Sequence, residues 1–242
     1  MFLCSVMLRL FSPLSADEAA TFACRALERL ENDRTRNQGR REPYPIGCTL
    51  GTTNWTDVQR RCQPRSPAYK IQLRRTELSA SVSELLVCRD IRDARTLQAP
   101  RWVFTYAFRK VKSDRGVTLV SADKREPTVL VVSARHLGGL LWTHMVLERA
   151  RCSGHSVTWR TVRGFHFLDG EESFSVMRDK HTKRLVYCIC SVSAASHWLA
   201  RLASPYVRLC QDRFQVESVR FLQQRWEDPP DTRKHRRQHC GP

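Results

Sequence analysis

The stretch "RLVYCICSVSAASHWLARLASPYVRLCQDRFQVESVRFLQQRW", Arg184 to Trp226, changes its period halfway along. Its first part, "RLVYCICSVS", is a short apolar run of the kind a buried strand needs. Its last part, from Ser204, puts Val207, Cys210, Phe214, Phe221 and Leu222 on one helical face. Pro205 suits the helix start, and Ser218 is the weak point of the stripe. A final strand that leads into one long terminal helix raises the question of what that helix covers.

The residues upstream supply the answer. From Arg101 the chain reads as strands in series: "RWVFTYAFRKV", with Trp102, Phe104, Tyr106 and Phe108 alternating, then "GVTLVSA", "TVLVVSAR", "LLWTHMVLERA", "SVTWRTVRGFHF" and "ESFSVMR". Their separators are short and turn-like, which implies an antiparallel meander, because parallel pairs need crossovers of about a dozen residues or more. The expected fold is α+β, a curved antiparallel sheet gripping the terminal helix in its concave face. Whatever part of that groove the helix leaves unfilled becomes an apolar pocket.

Ahead of the sheet, Ser15-Ala16-Asp17-Glu18 has the form of a capping box, and Ala19, Phe22, Ala23, Ala26, Leu27 and Leu30 follow at helical spacing. This predicts a helix over about residues 16–31. Residues 1–15, with Arg9 and no acid before Asp17, read as a first strand or a weak targeting signal. Residues 32–47 read as a polar surface loop, and residues 59–77, with six Lys or Arg, as a basic insertion. Residues 16–226 are expected to form one domain. The tail over 227–242 carries Pro229-Pro230 and then basic residues without period, the composition of a disordered segment.

Forty-one Lys and Arg against twenty-four Asp and Glu give a net charge of +17, a balance that attracts polyanions such as nucleic acid or an acidic membrane face. Ten scattered cysteines include no CxxC pair, so the sequence predicts free thiols and no metal or other cofactor. No apolar run reaches the roughly 18 residues of a membrane-spanning helix. The expectation is a soluble or peripheral intracellular protein of the cytoplasm or mitochondrion, of undetermined oligomeric state. No GxSxG elbow, HExxH, Walker loop or dinucleotide fingerprint occurs.

The C-terminal third carries a more specific pattern: His166, then Gly170-Glu171-Glu172 and Phe174, then Trp198 and Leu202, and Pro205-Tyr206-Val207-Arg208-Leu209 followed by Gln211 and Phe214. Over about residues 160–215 this order and spacing resembles the uncharacterised family UPF0548, whose conserved region is DUF1990. The resemblance implies a START-like helix-grip fold, similar to polyketide cyclases and the birch pollen allergen group. It implies no activity.

Glu171 and Glu172 are consecutive, so on a strand they point to opposite faces and at most one can enter the groove. Two readings stay open. An inward glutamate with His166 would form an acid/base pair; an inward glutamate held by Arg208 or Gln211 would be a clasp between strand and helix. The candidate ligand-binding residues are Trp142, Trp159, His166, Glu172, Trp198, Arg208 and Gln211, and His166, Glu171 and Glu172 are the catalytic candidates. For a polyanion the candidates are Arg60, Arg61, Lys70, Arg74 and Arg75. The leading function is a non-catalytic module for a hydrophobic small molecule or lipid. The alternative is an interaction protein for RNA or a ribonucleoprotein, and a cyclase- or hydratase-like enzyme is third.

Overall fold

A computed structural model describes residues 8–10, 12–36, 69–98, 100–113, 116–122, 126–179, 181–196 and 198–227. Arg60, Arg61 and the tail beyond 227 lie outside the described residues. In chain order the elements are β1 (Leu8–Leu10), α1 (Ala16–Arg36), β2 (Lys70–Glu77), α2 (Glu84–Arg92), β3 (Val103–Ser113), β4 (Gly116–Ser121), β5 (Val129–His136), β6 (Leu141–Cys152), β7 (Ser156–Thr161), β8 (Leu168–Arg178), β9 (Leu185–Ala195), α3 (Trp198–Leu202) and α4 (Ser204–Glu227).

One sheet holds the strands in the order β2-β9-β8-β7-β6-β5-β3-β4, with β1 on the segment of β6 that β7 does not reach. All pairs are antiparallel. Strands β5 to β9 form the expected meander. Two strands depart from it. β4 folds back along the outer edge of β3, and β2 crosses the molecule to pair with β9.

The pairing of β2 corrects the reading of residues 59–77 as an insertion throughout, since Lys70–Glu77 is an edge strand. Its two apolar residues explain why: Ile71 and Leu73 stand opposite Val192 and Cys190 and pack with Tyr69 and Met177. Polar and charged residues fill the other positions, as an edge exposed to solvent favours.

Strand alternation divides the sheet into two covered faces. On the outer face α1 packs Phe22, Ala23, Ala26 and Leu27 against Phe108, Val129, Val131 and Val146. Its start is the expected capping box: Ser15 N–H donates to Glu18 Oε2 at 2.8 Å, and Glu18 N–H donates to Ser15 Oγ at 3.3 Å. Arg9 adds two bonds to the same carboxylate at 2.8 and 2.9 Å, tying β1 to the helix. The helix runs to Arg36, past the expected end near residue 31.

On the inner face the last half of α4 packs Val219, Leu222 and Trp226 with Trp159, Phe174, Tyr187 and Ile189 of the sheet and with Val87 and Ile91 of α2. The buried stripe therefore differs from the sequence expectation. Ser218 is fully buried, whereas Phe221 is 45% exposed. Phe221 lies about 100° around the helix from Leu222, which turns it out of the groove.

Gly170, on β8, faces Ser193 of β9 at an unusually close approach. A Cβ at Gly170 would stand 2.0 Å from the Val192 carbonyl oxygen and 2.7 Å from Ser193 Cα. Both are backbone atoms that cannot swing away. We therefore expect Gly170→Ala to lower unfolding stability by about 2 kcal/mol or more, measured by urea titration.

Candidate functional site

The first half of α4 stands off the sheet where the second half packs down. Between it and the inner faces of β5, β6 and β8 lies a cavity of about 350 Å³. Its walls are mainly apolar: Val132 and Ala134 from β5, Met145 and Leu147 from β6, and Val207 and Phe214 from α4. Successive even positions on β5 and odd positions on β6 supply these residues, because alternate residues of a strand share a face.

Two polar groups enter from β8 and the turn before it. Glu172 points inward, with Gln215 Nε2 donating to its Oε1 at 3.2 Å. Burial pushes its carboxyl up to about 7, and the Gln215 bond offsets only part of that. It is the only Asp, Glu, Lys or Arg lining the cavity among the described residues. His166 lines the same cavity and accepts the Leu168 backbone N–H at Nδ1, at 2.9 Å. That bond requires a lone pair on Nδ1, so the neutral ring carries its proton on Nε2. Burial holds the imidazole down to about 4, so it is neutral at physiological pH.

A second polar group lies where β5 and β6 meet the start of α4. The His136 ring bonds Thr143 Oγ1 through Nε2 at 2.9 Å and Tyr206 OH through Nδ1 at 3.0 Å. The Tyr206 ring meets it edge-on at 5.7 Å between centroids. Burial lowers the His136 pKa below that of a free imidazole.

A seam of hydrogen bonds sets the height of the helix above the sheet. Arg208 Nη1 donates to Ser193 Oγ at 2.8 Å and Nη2 to the Ser193 carbonyl at 2.9 Å. Gln211 Nε2 donates to Ser191 Oγ at 2.6 Å, and Gln215 reaches Glu172. Residues 208, 211 and 215 recur on one helical face. Their partners 193 and 191 recur on one strand face, and 172 stands opposite 191.

These positions sort the sequence-derived candidates. His166, Glu172 and Gln211 border the cavity. Glu171 faces outward and pairs with Arg160 at 2.7 Å, with both side chains largely buried, so it takes no part in the groove. Arg208 bonds Ser193 and Gln211 and neither glutamate, which removes the expected Glu–Arg208 clasp. Gln215, one turn beyond Gln211, holds Glu172 instead. Trp142 packs on the outer face against Phe104, with ring centroids 5.5 Å apart, because its even position on β6 points away from α4. Trp159 faces inward but belongs to the packed core under the far half of α4, and Trp198 is exposed on α3.

Among the polyanion candidates, Arg74 pairs with Asp212 at 2.8 Å, and Arg75 with Asp179 at 2.8 Å and Glu77 at 3.6 Å. Lys70 is exposed at the start of β2. Sequence reasoning missed His136, Thr143, Tyr206 and Gln215. His136 shares its strand parity with Val132 and Ala134, and Gln215 sits four residues after Gln211, so both faces were open to deduction. The His136–Tyr206 contact, across 70 residues of chain, left no local signal. Among the described residues there is no cluster of His, Cys, Asp and Glu able to hold a metal ion, and no helix long and apolar enough to cross a membrane.

A family model described as "Domain of unknown function (DUF1990)" matches residues 94–221. No curated protein matches the chain. Similar solved structures include protein NE0264 from Nitrosomonas europaea, at 9% identity over 66% of this chain and 94% of that one, with a TM-score of 0.42. Ginseng major latex-like protein 151 from Panax ginseng aligns at 9% identity over 65% and 97%, with a TM-score of 0.40. A START superfamily protein from Mycobacterium smegmatis aligns at 11% identity over 65% and 97%, also with a TM-score of 0.40.

The two adjacent glutamates should respond oppositely to amide substitution. The Glu172 carboxyl titrates at about 7 in the fold and near 4.5 when free, so the native state holds the extra proton between those values. Its contribution to stability is thus full below about 4.5 and is lost as pH rises through about 7. Glu172→Gln should gain on the wild type across that interval and level off above it, by about 3 kcal/mol at pH 8. Glu171→Gln should instead lose about 2–3 kcal/mol at pH 8, because it weakens the buried pair with Arg160. Urea unfolding of both variants at pH 5 and pH 8 measures the difference.

Proposed function

The chain belongs to the DUF1990 family and folds as a helix grip, and from its own cavity we propose that it binds a mainly apolar small molecule or lipid beneath the first half of α4. The observation that carries this reading is the cavity itself: about 350 Å³, walled by aliphatic and aromatic side chains, with a few polar groups at defined places. Ligand sites combine this size with this arrangement. Apolar walls supply affinity through burial, while the His166 Nε2–H donor and the Glu172 carboxyl each offer a place for a polar group of the ligand.

Chemistry in the same cavity is the second reading, favoured by the Glu172 carboxyl at about 7. A carboxyl with that pKa can take or return a proton near neutral pH. Catalysis of this kind would appear as deuterium uptake from D₂O into the bound compound, abolished by Glu172→Gln.

Binding is tested with cis-parinaric acid, a fluorescent apolar chain with one carboxylate, titrated into the full-length protein. Saturable enhancement at one site per chain is expected. Ala134→Phe, which projects a ring from β5 into the cavity, should weaken it at least about tenfold, the equivalent of about 1.4 kcal/mol, while the melting temperature is retained. Equal binding by wild type and variant would place the probe elsewhere and count against the cavity.

A further inference from the structure

The cavity opens where Tyr206 both lines it and is exposed, and large apolar side chains crowd that opening. On the helix side stand Trp198, 73% exposed, and Leu202, 75% exposed. On the sheet side stand Leu10, Leu137 and Leu140. Four of these five neighbour a lining residue in the chain or the sheet: Leu202 precedes Ala203, Leu137 follows His136, Leu140 precedes Leu141, and Leu10 pairs with Leu141. Trp198 lies one helical turn before Leu202. The His136–Tyr206 hydrogen bond joins the two banks. Single exposed apolar residues are ordinary, but several on the segments that border an apolar cavity mark an interaction surface.

Charge selects the partner. Arg201, between Trp198 and Leu202, is exposed on this rim, and Arg135 is exposed at the end of β5 on the face opposite His136; neither has an acidic partner among the described residues. The chain as a whole carries +17. Apolar side chains flanked by arginines on a strongly basic protein suit the surface of an anionic bilayer, where the former enter the acyl boundary and the latter meet phosphate. We propose that this rim docks the protein on anionic membranes, with the cavity mouth facing the lipid. For its purpose, the loading or unloading of a membrane-derived ligand, the proposal rests on the binding function above; the docking itself rests on the rim alone.

The test is co-sedimentation of the full chain with phosphatidylcholine vesicles containing 30 mol% phosphatidylserine, set against phosphatidylcholine alone. Binding is expected to the anionic vesicles and to fall as salt rises. The pairs Trp198→Ser with Leu202→Ser, and Leu137→Ser with Leu140→Ser, should each weaken it about tenfold or more. Leu85→Ser, an 82% exposed leucine on α2 away from the rim, should leave it unchanged and serves as the control. Ala134→Phe separates the two proposals, since it should lose parinaric acid yet keep the vesicles. No binding to anionic vesicles, binding unaffected by both rim pairs, or a dimer in light scattering that the rim pairs split would overturn the proposal.

Discussion

Burial of both faces of the sheet is the constraint on which the rest of this structure depends. In β5 the first six residues are all buried, and in β9 the first nine are. With α1 on one side and α4 with α2 on the other, a slip of one residue would exchange the two sets of side chains and misplace every contact. Glu171 and Glu172 make the point at single-residue scale. One is held by an arginine on the outer face and the other borders an apolar cavity, with quite different electrostatic surroundings, although they are neighbours in the chain.

The cavity follows from uneven packing along one helix. Apolar residues of α4 from Val219 onward meet the core directly, whereas Arg208, Gln211 and Gln215 reach the sheet through polar partners. Longer polar side chains hold the first half of the helix at a distance that apolar packing would have closed. Each bond in the seam also satisfies a group that would be costly to leave unpaired in such surroundings. The same residues therefore keep the space open and lock the helix over it.

Much of the fold was legible in the sequence because its signals are local. The reciprocal bonds of Ser15 and Glu18, the strands from Arg101 onward and the terminal helix from Ser204 all follow from spacing within a few residues. What failed to show was set by contacts distant in the chain. β2 looked like a charged loop because only its partner β9 makes sense of Ile71 and Leu73. For Trp142, alternation says which residues share its face and is silent on which face is inside. Charge alone pairs Arg208 with a glutamate, but the geometry of α4 delivers it to Ser193. The site was thus half readable: His166, Glu172 and Gln211 from motif and alternation, His136 and Tyr206 only from the assembled fold.

The position of β2 has a further consequence in time. It leaves the ribosome early, yet among the described residues its partner in the sheet is β9, more than a hundred residues later. At roughly 5–20 residues per second, that interval is on the order of ten seconds. Throughout it Ile71 and Leu73 have no strand to cover them. Closing the sheet on that edge is a late and non-local event, the kind that slows folding and leaves an unpaired strand open to wrong partners.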